Sequence, residues 1–130
     1  MSELPKFAVS FDRRTRLLRW TMRGLWTMAD VAELARAMYE ATKHLGPPPQ
    51  RYDGLCDSRD FPVQTNAVSN ALGEIDRAGG RMRRGRFAIV VGSRMNKLQA
   101  ERTLTGGGVR VFMAMDEAEA WLADKAGDAG

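Results

Sequence analysis

Residues 85–92, GRFAIVVG, contain an unbroken run of five apolar residues bounded by a glycine on each side. A short apolar run without polar alternation is typical of a strand that is covered on both faces, as inside a parallel sheet. We therefore predict a strand at 87–91 and expect it to lie at the centre of the sheet. The remaining elements are arranged around it.

Four further segments predict strands. Apolar and polar residues alternate in 7–11 and in 18–22, and a short polar link joins these segments, which predicts an antiparallel hairpin. The short segments 52–57 and 109–113 predict two more strands. With the helices between them, the order is β-β-α-β-α-β-α-β-α. This order predicts an α/β fold with a mixed, mostly parallel five-stranded sheet, four helices and right-handed crossovers.

The first two predicted helices are delimited by capping residues and glycines. Thr27 is a candidate N-cap, with Asp30 in the capping-box position, and Gly46 ends this helix. We expect the second helix to begin near Pro62, because proline is favoured in a first turn. The pair at 79–80, Gly-Gly, is expected to stop it.

The last two helices follow the strands at 87–91 and 109–113. Ser93 is the predicted cap of the third helix, which should run to about Thr105 with Met95 and Leu98 facing inward. Asp116 is the predicted cap of the fourth helix. Together these elements predict one domain over residues 1–130, with a core at about 6–123.

The bulk composition is that of an ordinary globular domain. The chain has 130 residues, of which 44% are hydrophobic and 28% charged. Cys56 is the only cysteine, so no disulfide can form within the chain. The sequence has no apolar run near the roughly 20 residues of a membrane span and no secretory signal pattern at its start, so a cytoplasmic location is expected.

Five features in combination resemble a known family. They are the hairpin ending in Arg23-Gly24, the capped helix at Thr27, the strand ending in Asp57, the apolar strand at 87–91, and the segment VFMAMDEAEAWL at 111–122. This combination resembles the STAS superfamily, the fold of bacterial anti-sigma-factor antagonists, and looks closest to its SpoIIAA-like (STAS/SEC14-like) branch. The resemblance implies a non-catalytic regulatory or scaffolding domain that binds a protein partner.

The same resemblance implies a candidate phosphorylation site. In anti-sigma-factor antagonists, a partner kinase phosphorylates a serine or threonine near the start of the second helix. Thr65 is the nearest match in this chain, although the Asp and Gly of the family pattern are absent around it. Ser58, which follows Asp57, is an alternative acceptor.

The edge where parallel strands end is the expected binding surface. Loops that leave the carboxyl ends of parallel strands gather at one edge of a sheet, and ligands commonly bind there. The predicted partner-binding or ligand-binding residues at this edge are Trp26, Arg59, Asp60, Phe61, Ser93 and Arg94.

Two other functions are kept as alternatives. Three tryptophans and eight methionines are compatible with a carrier of a lipid or other small apolar ligand, with its pocket near Trp26 and the first helix. A weaker alternative is nucleic-acid binding through the basic segment 77–97, since the chain carries a net charge of +4. No aromatic residues alternate with these arginines as base-stacking would require, which disfavours this reading.

No catalytic set, metal site or cofactor site is predicted. His44 and Cys56 are too few for a zinc site, and Cys56 belongs to a predicted buried strand. Asp57 and Asp60 flank an arginine, which favours a local turn network. The glycines at 106–108 precede a strand, the reverse of the strand–loop–helix order of a phosphate-binding loop. Self-association is compatible with so small a domain, but no feature specifies it.

Overall fold

The computed structural model describes residues 5–82, 85–104 and 108–124, apart from the side chains of 81 and 82. Across these ranges it contains five strands, four α-helices and one short 3-10 helix at Lys43–Leu45. The strands are β1 (Phe7–Asp12), β2 (Leu17–Arg23), β3 (Asp53–Asp60), β4 (Phe87–Val91) and β5 (Val109–Phe112). The helices are α1 (Met28–Thr42), α2 (Asn66–Met82), α3 (Arg94–Thr103) and α4 (Met115–Ala123). The predicted element order is confirmed.

The five strands form one mixed sheet in the order β1-β2-β3-β4-β5. The β1–β2 hairpin is antiparallel, and every other neighbouring pair is parallel, as predicted. The middle strand is β3, so the prediction that residues 87–91 form the centre was wrong. All five residues of β4 are nevertheless buried, because this strand has a neighbour on each side and helices over both faces.

The helices cover the two faces of the sheet unequally. On one face, Cys56 and Ile89 belong to a core cluster with Val31 of α1 and Val68 of α2. On the other face, a smaller cluster joins the sheet to α4; its buried members are Leu55, Ala88, Val90, Phe112, Ala118 and Leu122. Neighbouring residues of one strand enter different clusters because successive side chains point to opposite faces.

The predicted caps of α1 and α3 are present. The Thr27 hydroxyl accepts the Asp30 backbone N–H at 3.3 Å, and the Asp30 carboxylate accepts the Thr27 N–H at 2.8 Å, which completes a capping box. The Ser93 hydroxyl accepts the Asn96 N–H at 3.1 Å. These bonds satisfy backbone donors that have no partner inside the helix.

The capping box makes stability depend on pH through Asp30. The Thr27 backbone N–H, and then the Lys6 ammonium at 3.0 Å, lower the pKa of the Asp30 carboxyl. A lowered pKa in the folded state stabilises the protein above the unfolded value of about 3.9, and this stabilisation is lost as pH falls through the folded value. We expect Asp30→Asn to destabilise the protein at pH 7 and much less near pH 2. Urea unfolding at both pH values checks this, and an equal difference at both would contradict it.

The boundaries of α2 differ from the prediction. The helix begins at Asn66, and Pro62 lies before it. The Thr65 hydroxyl accepts the Val68 N–H at 3.3 Å and therefore caps the helix, so Pro62 is not in the first turn as predicted. The helix also continues through 79–80 to Met82. Two glycines cost roughly 1 kcal/mol each relative to alanine, an amount that tertiary contacts readily override.

The start of α4 and the ends of two strands also differ. Ala114 occupies the cap position of α4, and Asp116 lies in the first turn, where its charge complements the helix dipole. Strand β3 continues past Asp57 to Asp60, whereas β5 stops one residue before Met113. Ser58, Arg59 and Asp60 are therefore strand residues.

Helix α3 turns a different face to the core from the one predicted. Met95 and Leu98 are 70% and 54% exposed, so their inward placement was wrong. Ala100 and Leu104 pack against the core instead. The helix ends at Thr103; Thr105, Gly106 and Gly107 lie outside the described residues.

Candidate functional site

The carboxyl ends of β2, β3, β4 and β5 lie at one edge of the sheet because these strands are parallel. We call the four connections that leave this edge, together with the first turns of the helices they enter, the rim. It comprises 24–31, 61–69, 92–98 and 113–118. The predicted residues Phe61, Ser93 and Arg94 lie within it, and Arg59 and Asp60 end the strand beside it.

A buried glutamine holds two rim connections together. The Gln64 side chain accepts the Trp26 N–H at 2.8 Å and donates to the carbonyls of Gly24 at 2.9 Å and Pro62 at 2.8 Å. Only 8% of Gln64 is exposed. Sequence reasoning missed this residue, because a glutamine between a proline and a helix cap has no pattern that distinguishes it from a surface residue.

Trp26 lies beneath the rim and is not part of its surface. It is 5% exposed, its indole N–H donates to the Arg23 carbonyl at 2.8 Å, and its ring packs against Phe61 with centroids 5.3 Å apart. Trp26 therefore supports the connection after β2. Phe61 is half-buried and is the first residue of the rim connection that follows β3.

The charged residues at the end of β3 form a local network. Arg59 binds Asp57 through two bonds, Nε to Oδ1 at 2.9 Å and Nη2 to Oδ2 at 2.8 Å. These bonds to the Arg59 guanidinium lower the pKa of the Asp57 carboxyl. Arg23 donates to Asp60 at 3.1 Å. The two aspartates thus bind separate arginines. The bond between Arg59 and Asp57 is local, as predicted, whereas Asp60 binds Arg23 of β2, and the predicted loop is part of strand β3.

The rim carries a set of exposed apolar side chains. Each is between 47% and 70% exposed, and together they come from all four connections or the first turns that follow them: Leu25, Met28, Val63, Met95, Leu98 and Met113. Arg94 is exposed beside them, whereas Ser93 caps α3. The rim also carries Lys97, Asp30, Asp116 and Glu117, and it therefore combines apolar surface with charges of both signs.

The two candidate phospho-acceptors are in different environments. Ser58 is 3% exposed, and its hydroxyl donates to the Val90 carbonyl at 2.8 Å inside the sheet. Thr65 is exposed at the N-terminus of α2. A kinase can reach Thr65 in this structure, whereas Ser58 requires the sheet to open.

A cavity of about 590 Å³ lies between α1, α2 and the sheet, and we call it the α1–α2 cavity. Its apolar walls include Trp20, Leu34, Met38, Cys56, Ile75 and Phe87. Tyr39, Lys43 and Pro47 line it at exposed positions, which places its mouth beside the C-terminal end of α1. Complete burial raises the pKa of the Cys56 thiol well above its ordinary value, so this side chain is neutral. Asp76 of α2, which is 5% exposed, also lines the cavity.

A smaller cavity of about 80 Å³, the α2–α3 cleft, lies on the other side of α2. Phe61, Asn96 and Ala100 line it, so it extends towards the rim. Four residues line both spaces: Met22, Leu72, Ile89 and Leu104. These four side chains therefore separate the two spaces beneath α2.

The described members of the basic segment 77–97 do not form one patch. Arg86 precedes β4 and Arg94 follows it, so roughly 16 Å of strand separates them. Arg86 donates to the Trp121 carbonyl at 2.5 Å and stacks on the Trp121 ring at 5.0 Å. The side chain of Arg81 and the whole of 83–84, both arginine, lie outside the described residues.

Two features are absent from the described part of the chain. None of its helices combines the length and apolar character needed to cross a membrane. No group of three or more histidine, cysteine, aspartate or glutamate side chains in these ranges is placed to hold a metal ion.

Comparison with known proteins identifies the fold. No family model and no curated protein matches the chain. A solved structure, that of an uncharacterized protein of the DUF3478 family with a SpoIIAA-like fold from Shewanella loihica PV-4, superposes with a TM-score of 0.70. The two chains are 17% identical, and the match covers 94% of this chain and 98% of the other. The chain therefore has the SpoIIAA-like fold that its sequence motifs predicted.

Proposed function

We propose that this chain is a non-catalytic STAS-like binding module that holds a small, mainly apolar ligand in the α1–α2 cavity. The cavity carries the proposal, because its volume of about 590 Å³ lies within the range of roughly 300–1,000 Å³ typical of ligand pockets. Its walls are mainly aromatic and aliphatic side chains from α1, α2 and the sheet, and its charged members are Asp76 and Lys43. An apolar occupant restores the van der Waals contacts that these side chains lack across an empty space.

The polar residues of the cavity wall strengthen this assignment. Gln50 donates to the carbonyls of Thr42 at 3.2 Å and Gly46 at 2.8 Å, and the Thr42 hydroxyl donates to the Met38 carbonyl at 2.9 Å. These bonds satisfy backbone carbonyl groups at the C-terminal end of α1. Because their donors are already engaged with backbone oxygens, Gln50 and Thr42 offer little to a polar ligand.

The first test introduces a larger side chain from α1 into the cavity. Ala35 lines it, whereas Ala32 on the same helix is exposed. We expect Ala35→Leu to weaken binding of dodecanoate about tenfold, or about 1.4 kcal/mol, because the added methyl groups occupy ligand space. Ala32→Leu should leave binding unchanged. Calorimetry measures the affinity, and the fluorescence of Trp20 in the wall follows the same titration.

Two outcomes of this test would contradict the cavity assignment. One is the absence of dodecanoate binding to the wild-type chain, together with the absence of bound small molecules in native mass spectrometry of freshly purified protein. The other is an equal loss of affinity in Ala35→Leu and Ala32→Leu, which would place the ligand outside the cavity.

Regulatory binding of a protein partner at the rim is the second candidate function. The observation that favours it is that exposed apolar side chains occur in all four segments of the rim, because large apolar patches mark interaction sites. Arg59, Asp60 and Arg94 supply charge at its border. Thr65, exposed at the N-terminus of α2, is where phosphorylation would add negative charge to this surface.

The rim is tested by replacing its apolar side chains on α3. We expect the double variant Met95→Gln, Leu98→Gln to lose a protein that wild type retains from a lysate of the source organism. Arg102→Gln on the same helix, outside the rim, is the control and should retain it. Both changed side chains are exposed, so the fold should be unaffected. If wild type and both variants retain the same protein equally, the rim is not its binding surface.

A further inference from the structure

We infer that the ligand is an elongated, unbranched chain that runs beneath α2 from the α1–α2 cavity into the α2–α3 cleft. This inference rests on the proposed ligand-binding function and specifies the shape of the ligand. The observation behind it is that the two spaces have a common wall of side chains.

Helix α2 stands over the sheet with open space on both sides. Val68, near its N-terminus, is 2% exposed and anchors the helix to the core. One and two turns further along, Leu72 and Ile75 are only partly buried. The α1–α2 cavity, of about 590 Å³, borders Leu72 on one side, and the α2–α3 cleft, of about 80 Å³, borders it on the other.

Side chains form the boundary between the two spaces. Met22, Leu72 and Leu104 line both, and Ile89 forms the floor from β4. Methionine and leucine side chains change rotamer readily, and methionine in particular adapts to the shape of its neighbours. A narrow chain can therefore pass between these residues without movement of the backbone.

The unequal volumes decide the shape of the ligand. A compact ring system can occupy the larger cavity, but a cleft of about 80 Å³ admits only a narrow chain. A linear chain gains contacts in both spaces, including those with Phe61 and Val91 at the far end. Each buried methylene contributes roughly 0.8 kcal/mol, so a chain that reaches the cleft binds more tightly than one that stops before it.

The test compares octanoate, dodecanoate and hexadecanoate by calorimetry. For wild type we expect affinity to rise about fourfold for each added buried methylene until the chain reaches the rim end of the cleft. Ala100→Leu narrows the cleft, because Ala100 lines it and is absent from the wall of the larger cavity. This variant should bind hexadecanoate about tenfold more weakly and octanoate as wild type does.

Octanoate binding also reports that the variant is folded. Ser69→Leu on α2, which lines only the cleft, provides a second way to narrow it and should behave like Ala100→Leu. Hexadecanoate binding no tighter than octanoate in wild type, or equal losses for both acids in both variants, would overturn the elongated ligand and leave the cavity proposal standing. Failure of all three acids to bind wild type would overturn both.

Discussion

Gln64→Leu is expected to lower the free energy of unfolding by about 3 kcal/mol. Leucine keeps a similar volume, but it cannot accept the Trp26 N–H or donate to the Gly24 carbonyl. Both Gln64 and Trp26 are less than one-tenth exposed, so water does not readily replace these bonds. A buried polar group left without a partner costs about 1–3 kcal/mol, and this substitution leaves more than one.

Urea unfolding followed by tryptophan fluorescence measures this loss. Asn70→Leu is the matched control, because Asn70 is exposed on α2 and its replacement should change stability by no more than about 0.5 kcal/mol. A loss below about 1 kcal/mol for Gln64→Leu would show that the rim connections are held by other contacts. The expected result would make Gln64 the residue that positions the segment before α1 against the segment before α2.

Gly92→Ala is expected to cost about 3 kcal/mol, for a steric reason. A methyl group at Gly92 would lie 2.3 Å from the Arg59 carbonyl oxygen on the neighbouring strand β3. That distance is far inside van der Waals contact, and the obstacle is backbone, which cannot rotate away as a side chain can. Strands β3 and β4 must therefore separate where they reach the rim, and overpacking of this kind costs 1–3 kcal/mol or more.

Gly46→Ala separates steric from conformational effects. Gly46 has a φ of +86°, and a methyl group there would meet no atom within 4 Å. Its ψ of −168° places it in a backbone region that is essentially confined to glycine, so its replacement should cost about 1–3 kcal/mol in backbone strain. Urea unfolding ranks the two variants, and hydrogen exchange locates the opening in Gly92→Ala at the carboxyl ends of β3 and β4. A cost for Gly92→Ala no larger than that for Gly46→Ala would contradict the steric argument.

The strands and their order could be predicted because the signals are local. Alternation in β1 and β2 and the unbroken apolar run of β4 each reflect which faces are covered, and both patterns lie within a few residues. The caps Thr27 and Ser93 were predictable for the same reason, since a cap bonds to a backbone N–H three residues away. The SpoIIAA-like fold was predicted from the resemblance that these elements and their motifs carry.

The errors in prediction arose where distant contacts override local preference. Met95 and Leu98 have the spacing of a buried helical face, yet α3 turns Ala100 and Leu104 to the core. Helix α2 continues through 79–80 despite two glycines. In both cases the position of a neighbouring element decided the outcome. A short stretch of sequence does not show where that element packs.

The sequence by itself determined the element order, the mostly parallel sheet and the edge at which the candidate rim residues Arg59, Phe61 and Arg94 gather. The tertiary structure alone decided the burial of Gln64, the depth of Trp26 and the existence of the α1–α2 cavity. The physical reason is the distance along the chain between the residues whose contacts decide each feature. A strand or a cap depends on neighbours along the chain, whereas the volume beneath α2 depends on how far that helix stands from the sheet, a distance set by packing among residues far apart in sequence.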